Sequence, residues 1–561
     1  MRTSILSFLV LSLLNLGWCF SQTDDKLVVN LPDGKVRGAE YSTPINNFSY
    51  VGFLAIPYAE PPVGDLRYES PRPAKAWTDI LNATKDAKSC LTSQSLVDPN
   101  AESEDCLKIN VYTPNLKTDL PLPVMVWIYG GAFRSGNSAK STYGPDFLIE
   151  ENIIIVSFNY RVGPLSFLAT SDHNLPGNLG LKDQVLALQW VQRNIEFFGG
   201  DKNKVTIFGE SAGGGATGLH LISKRSKGLF RAAIVESGSG ICYWTAVQDA
   251  RSVAFRIADL IPGGNYGNDT GKLKEFLKQR SATEIITAAQ NLLESTVNES
   301  LPQGVQAWPT LEPESEDAFM TESPYELLRR GEFNRVPFMT GVTSEESLSF
   351  FRDLNHVKEV ATMYDQEKER VLPFDLYPNS TDEAVAADTI RDAYLGGKNR
   401  QFADNLDAFI NYFSDNLFVR GVMKQADLAS EYVPVYHYKF AYFGGRNRTD
   451  AYVPGAGRVA HGSELPYLFT RDRQNITTDP LDVLTQNRAV KLWTNFAKYL
   501  NPTPEKSELL NNVTWTTFNN QDYSQLVFSE TLEIKKIKRL NIHSMWNDVY
   551  EKYARKPIIT F

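Results

Sequence analysis

Cysteine is scarce in this chain, four in 561 residues, and histidine is nearly as rare, at six. No group of histidine, cysteine and carboxylate residues resembles a metal cluster, so neither a metal nor an organic cofactor is expected. Positive charge is also in deficit. A net charge of −9, with no basic, aromatic-rich patch, argues against a nucleic-acid partner. No linker or repeat divides the sequence, and 42% hydrophobic residues suffice for one large core. A single domain over residues 22–561 is therefore expected. The apolar run from Ile5 to Leu16 follows Arg2 and precedes the small residues Gly17, Cys19 and Ser21. That arrangement reads as a secretory signal peptide, residues 1–21, rather than a spanning helix. Residues 556–561 are neither an ER-retrieval tetrapeptide nor a hydrophobic anchor tail, so a soluble, secreted, extracellular protein without a membrane anchor is expected.

What the chain does contain is Gly209-Glu210-Ser211-Ala212-Gly213, set between the run Val205-Thr206-Ile207-Phe208 and a small-residue, helix-like stretch. In a strand, tight turn and helix, glycines two residues either side of a serine leave room for its hydroxyl to stand clear of the sheet edge. Ser211 is thus a candidate nucleophile. Three common residues meet this spacing by chance in many long chains, so its partners must carry the case. A serine hydroxyl needs a base, an acid to orient that base, and donors for the oxyanion that develops. The apolar strand 124–128 runs into Tyr129-Gly130-Gly131-Ala132-Phe133, a turn whose small residues let backbone NH groups approach a substrate oxygen. The NH of Ala212 is a further donor.

Among the histidines His461 stands out, in the loop-like segment 460–465 that follows the strand-like run 433–440. His437 alternates within that run and reads as packed. His220 lies on the helix after the elbow and faces away, while His173, His356 and His543 have no motif around them. For the acid, residues 336–340 read as another buried strand, followed by 341–346 with the adjacent carboxylates Glu345 and Glu346. Serine, acid and histidine then fall in chain order, each beyond the C-terminal end of a strand, the edge where open α/β sheets place their sites.

On these residues the sequence resembles the type-B carboxylesterase and cholinesterase family of α/β-hydrolases, with a texture nearest to secreted insect carboxylesterases. Residues 56–62, 103–107, 159–164 and 177–184 carry the resemblance beyond the elbow. It implies an α/β-hydrolase fold, a large, mostly parallel central sheet flanked by helices. It also implies roles: Ser211 as nucleophile, Glu346 as acid, His461 as base, and the NH groups of Gly131, Ala132 and Ala212 as the oxyanion hole. Tyr129, Ala132, Ser166, Ala216 and Ser347 depart from residues common in the family, yet none removes a triad member. The implied reaction is hydrolysis of a small-molecule carboxylic ester to acid and alcohol through an acyl-enzyme on Ser211. The alternatives are a specialised juvenile-hormone or pheromone/odorant esterase and a non-catalytic cholinesterase-like adhesion protein. Juvenile-hormone esterases often carry Gln before the serine, so Glu210 leans away from them. Adhesion relatives commonly lose the nucleophile.

The helical pattern after Gly177 puts Leu181, Val185, Leu188, Val191 and Ile195 on one face and stops at Gly199-Gly200. With Cys19 in the signal segment, the resemblance pairs Cys90 with Cys106, a closure worth about 3 kcal/mol on a chain-entropy basis. Cys242 is left unpaired and reads as buried. No aromatic residue lies between Cys90 and Cys106, where a cholinesterase is expected to carry a choline-stacking tryptophan. Asn-x-Ser/Thr sequons at Asn47, Asn82, Asn268, Asn298, Asn379, Asn447, Asn475 and Asn512 agree with a glycosylated exterior. Nothing in the sequence assigns an oligomeric state.

Overall fold

The computed structural model describes residues 26–93, 100–296, 306–447, 451–472, 476 and 478–561. The signal segment and the sequons at Asn298 and Asn475 lie outside them. Among the described residues the apolar runs form a sheet of eleven strands. In chain order these are β1 (Ala39–Ser42), β2 (Ser49–Pro57), β3 (Lys108–Thr113), β4 (Leu122–Ile128), β5 (Ile154–Phe158) and β6 (Gly200–Glu210). They continue with β7 (Ala232–Glu236), β8 (Phe338–Thr343), β9 (Val435–Phe440), β10 (Ser524–Phe528) and β11 (Leu532–Lys536). Across the sheet the order is 1-2-3-5-4-6-7-8-9-10-11. Pairing is parallel from β5 through β10. The strands β1 to β3 and β11 join antiparallel at the two ends.

The central strands β5, β7 and β8 are buried along their whole length. Covered on both faces, such strands read as continuous apolar runs rather than alternating ones. Hydropathy places one of them at 336–340, whereas β8 begins at Phe338 and continues through Gly341 to Thr343. The ladder carries it past the apolar run, pairing Gly341 with Tyr438 and Thr343 with Phe440. A Cβ at Gly341 would lie 2.4 Å from the Tyr438 ring, so glycine is what lets the strand continue. Because β4 and β6 to β9 are parallel, the segments leaving their C-terminal ends gather at one edge.

Helix α1 (Leu179–Asn194) is buried more completely than its single apolar stripe predicts. Lys182, Asp183 and Gln184 are buried as well. The Lys182 ammonium is 2.7 Å from Glu312. Asp183 accepts from the backbone NH, Nε and Nη2 of Arg161 at 3.0, 2.8 and 2.7 Å. Pairing therefore lets the polar side of the helix face protein instead of water. A short 3-10 turn ends at Gly199, whose φ of 85° stops the helical run.

A disulfide joins Cys90 and Cys106, and Cys242 is free and buried. No helix among the described residues is long and apolar enough to cross a membrane. Asn47, Asn82, Asn268, Asn379 and Asn512 are exposed. Asn447 differs: it is half-buried, and its carboxamide oxygen accepts from Gly444 N at 2.8 Å and from the Tyr467 hydroxyl at 2.9 Å.

Breaking the Arg161–Asp183 pair strands a cation in the interior. Asp183→Ala is expected to cost about 3–5 kcal/mol, the usual penalty for removing one partner of a buried pair. Denaturant unfolding checks this, and a loss below about 1 kcal/mol would show that Arg161 finds another partner or water.

Candidate active site

The turn at the end of β6 is set by how closely backbone packs there. A Cβ on Gly209 would lie 2.5 Å from the Ile128 carbonyl oxygen, and one on Gly213 only 2.0 Å from the same atom. Only glycine fits at either position. Between them Ser211 holds φ 61° and ψ −126°, just ahead of α2 (Ala212–Ile222). Such a backbone costs a non-glycine residue about 1–3 kcal/mol and persists only when its surroundings enforce it. Here Ser211 N donates to Glu236 O at 2.9 Å, and Ser211 O accepts from Gly215 N at 2.8 Å.

The neighbouring strand β4 delivers the second part of the site. A Cβ at Gly130 would be 2.8 Å from the Ser211 Cβ, so the loop after β4 lies directly against the serine. Gly131, Ala132 and Phe133 follow with φ of 114°, 55° and 56°. Ala132 thus adopts a left-handed conformation that suits the glycine common in the family. Among the described residues no acceptor is found for the backbone NH of Gly131, Ala132 or Ala212. Tyr129, another departure, stacks on Tyr160 with centroids 4.3 Å apart. Each hydroxyl donates to the other's carbonyl, Tyr129 at 3.0 Å and Tyr160 at 2.6 Å, which braces the loop.

Glu346 and His461 arrive from the ends of β8 and β9. The Glu346 carboxylate is fully buried and accepts from Ser237 Oγ and Thr343 N at 2.6 Å each, while its other oxygen is 2.6 Å from His461 Nδ1. An Nδ1–H that donates to the carboxylate leaves the lone pair on Nε2. That nitrogen has no hydrogen-bond partner among the described residues. It lies 3.1 Å from Glu210 Oε1, without the alignment of a hydrogen bond. Glu345 turns the other way and grips the chain leading to the histidine, accepting from Val459 N at 3.1 Å while its own NH donates to Val459 O at 3.0 Å. Ser347, which follows the acid, donates to Ile410 O at 2.9 Å.

Burial acts differently on each group. For Glu346 it opposes ionisation, but the charge of His461 and the three hydrogen bonds outweigh it, and the carboxyl stays below its usual range. Glu210, Glu236 and Glu464 lack enough compensation, and burial raises all three, Glu464 to about 8. His461 would be lowered by burial. Glu210 first, then Glu346, overcome this and push it up to about 9.

An aromatic wall completes the site. Phe418 stacks on the His461 ring at 4.4 Å and Phe350 lies 6.1 Å from it. Trp244 lies between Phe418 at 6.0 Å and Phe133 at 6.1 Å. Phe418 belongs to a π-helical turn, Asp415–Val419, a local widening frequent at functional sites. Neither this wall nor Ser237 has a sequence signal, because each is defined by what it touches. His220 and His437 are buried away from this site, and His220 bonds to Gln184 at 2.8 Å and Ser226 at 2.6 Å. His543 pairs with Asp427. Among the described residues no group of three or more histidine, cysteine or acidic side chains could hold a metal ion.

The sequence profile of the carboxylesterase family matches residues 25–546. The chain belongs to that family. It is similar to "Juvenile hormone esterase" of Tribolium castaneum, 34% identical over 87% of this chain and 85% of that protein. It is similar also to "Venom carboxylesterase-6" of Apis mellifera, 31% identical over 96% of this chain and 97% of that one. The crystal structure of juvenile hormone esterase from Manduca sexta, with OTFP covalently attached, matches with a TM-score of 0.82 at 25% identity, covering 94% of this chain and 99% of its own. The carboxylesterase has the α/β-hydrolase fold and is a carboxylic ester hydrolase of the serine type.

Two outcomes follow for the carboxylesterase. Glu346→Gln should lower kcat by about 10⁴, the loss seen when an orienting acid is neutralised. Glu345→Gln keeps an acceptor oxygen for Val459 N and should change kcat only a few-fold. Steady-state kinetics on variants with unchanged thermal midpoints decide, and a severe loss from Glu345→Gln alone would reverse the assignment. Second, a base must be deprotonated to act, so the raised His461 value means that kcat/KM falls with acidification already above the ordinary 6.5. Glu210→Gln removes the largest raising influence and should move that limb to lower pH. A limb that stays put or moves to higher pH contradicts this electrostatic account.

Proposed function

We propose that Ser211 attacks the ester carbonyl while His461 Nε2 takes its proton and Glu346 orients and stabilises the imidazolium. The tetrahedral oxyanion is held by the NH groups of Gly131, Ala132 and Ala212. His461 then protonates the leaving alcohol. Water repeats the cycle on the acyl-enzyme, releasing the acid. One observation carries this reading: His461 is tied through Nδ1 to a buried carboxylate, and its Nε2 is left unpaired beside the residue that precedes Ser211. The substrate is an uncharged ester whose apolar part lies against Phe133, Trp244, Phe350 and Phe418. Secretion after removal of residues 1–21, one domain over 22–561 and glycosylation at exposed sequons belong to the same proposal. The used Asn447 carboxamide argues against modification there.

A specialised juvenile-hormone or pheromone/odorant esterase is the second reading, favoured by the two juvenile hormone esterases among the similar proteins. Kinetics on terpenoid, long-chain and short-chain aromatic esters separate the two, since a specialised enzyme concentrates kcat/KM on one class. The general reading is tested with an organophosphate, which should inactivate the protein and add its mass to the peptide containing Ser211. A folded protein with no turnover and no adduct would restore the adhesion reading. In the same panel, choline esters should show less than a tenfold kcat/KM advantage over uncharged esters of equal acyl length.

A further inference from the structure

Beside the acid loop, strands β8 to β10 and helices α3 (Arg420–Ser430) and α4 (Leu540–Tyr553) border a cleft of about 520 Å³. Its volume is that of a small-ligand site. None of Ser211, Glu346 and His461 lines it. Much of its wall is apolar, from Val342, Val419, Met423, Val527, Ile542 and Trp546. Its charged lining is mostly cationic. Arg420, Lys439, Lys535, Lys536, Lys538 and Arg539 face two carboxylates, Glu345 and Asp415.

Most of these charges already have partners. Arg539 is bound to Asp415 and donates to Asn411 at 2.7 Å. Arg420 pairs with Asp375 at 3.3 Å, Lys535 with Glu533 at 2.6 Å and Lys536 with Asp522. Glu345 is taken up by Val459. Lys439 and Lys538 remain, with no carboxylate in ion-pair range among the described residues. Lys538 is exposed and solvated, but Lys439 is half-buried. Burial first, and then the neighbouring Arg539 and Lys538, hold the Lys439 ammonium below its usual range, and Glu345 and Asp415, beyond ion-pair range, do not fully offset them. Beside it on β9, His437 also lines the cleft; it is 1% exposed, and its side-chain neighbour Gln525 lines the same cleft without a well-aligned hydrogen bond to either ring nitrogen. A buried imidazole whose one polar neighbour is poorly aligned retains hydrogen-bonding capacity for a group entering the cleft.

We propose that this cleft is a second, non-catalytic site for an amphipathic monoanion, a carboxylate on an apolar chain, with the carboxylate paired to Lys439 and hydrogen-bonded by His437. One half-buried cation with no ion pair among the described residues calls for one negative charge, and the apolar wall calls for a chain rather than a bare ion. The ligand would touch Thr343 and Glu345, which hold Glu346 and the histidine loop, without reaching the catalytic groups themselves.

The test is calorimetric titration of the full-length Ser211→Ala protein with dodecanoate, which reads binding without turnover. One site is expected. Lys439→Met, which keeps the stem and removes the charge, should weaken it at least tenfold at an unchanged thermal midpoint. Val527→Trp, which fills the cleft from β10, should abolish it and serves if Lys439→Met does not fold. Dodecanol and inorganic phosphate, lacking the charge and the chain respectively, should bind at least tenfold more weakly. The proposal is overturned if dodecanoate does not bind, if the folded variants bind it as well as the parent, or if dodecanol or phosphate binds as tightly.

Discussion

The site depends on one approach of backbone to backbone, that of Gly213 to the carbonyl of Ile128. A single methyl group at Gly213 would reach within 2.0 Å of that oxygen. Because β4 and β6 are parallel neighbours in the register Gly209 to Ile128, the same closeness joins the ends of two strands. One end carries the serine and the other the loop with unused NH groups. The positive φ at Ser211, Ala132 and Phe133 is the strain that this packing imposes. Preorganised donors cost no reorganisation when charge develops, and that is what such strain is good for in an acyl-transfer site.

The second constraint is electrical. Several carboxyls lie buried around a single imidazole, and a low-dielectric interior cannot hold all of them ionised. Glu346 stays charged because Ser237, Thr343 and His461 all donate to it. Glu210, Glu236 and Glu464 have fewer donors and shift toward the neutral form. The result is a firm anion at Nδ1, a second carboxyl, Glu210, on the Nε2 side that also raises the imidazole, and no hydrogen-bond partner for Nε2 among the described residues. Phe418 and Phe350 cover the imidazole with apolar surface, and it stays basic because Glu210 and Glu346 outweigh that burial.

Departures from the family's usual residues acquire physical roles in this setting. Tyr129 and Tyr160 lock one another through reciprocal hydrogen bonds. Ser166 Oγ accepts from Gly180 N at 2.7 Å, tying the segment before α1 to the helix. Ser347 anchors the acid loop to Ile410. Each polar group is buried together with its partner, which is the condition on which a buried hydroxyl is tolerated.

The strand, turn and helix around Ser211, the glycine turn after β4 and the segments bearing Glu346 and His461 were legible in the sequence because they rest on local rules, while the sheet class came from the family resemblance. Glycine spacing marks a turn where no Cβ fits, and continuous apolar runs mark strands covered on both faces. Local rules stopped at the end of β8, which runs past its apolar stretch because Tyr438 and Phe440 extend the ladder. They stopped again at α1, whose polar face is buried only because Arg161 and Glu312 come to meet it. Between Glu345 and Glu346, two identical neighbours, local rules offered both and the family resemblance favoured Glu346; in the tertiary structure Glu346 faces His461 and Glu345 grips Val459. Ser237, the aromatic wall and the cleft around Lys439 were likewise invisible in the sequence. Each is made of residues far apart along the chain, and a contact between distant residues has no local period or spacing by which it can be read.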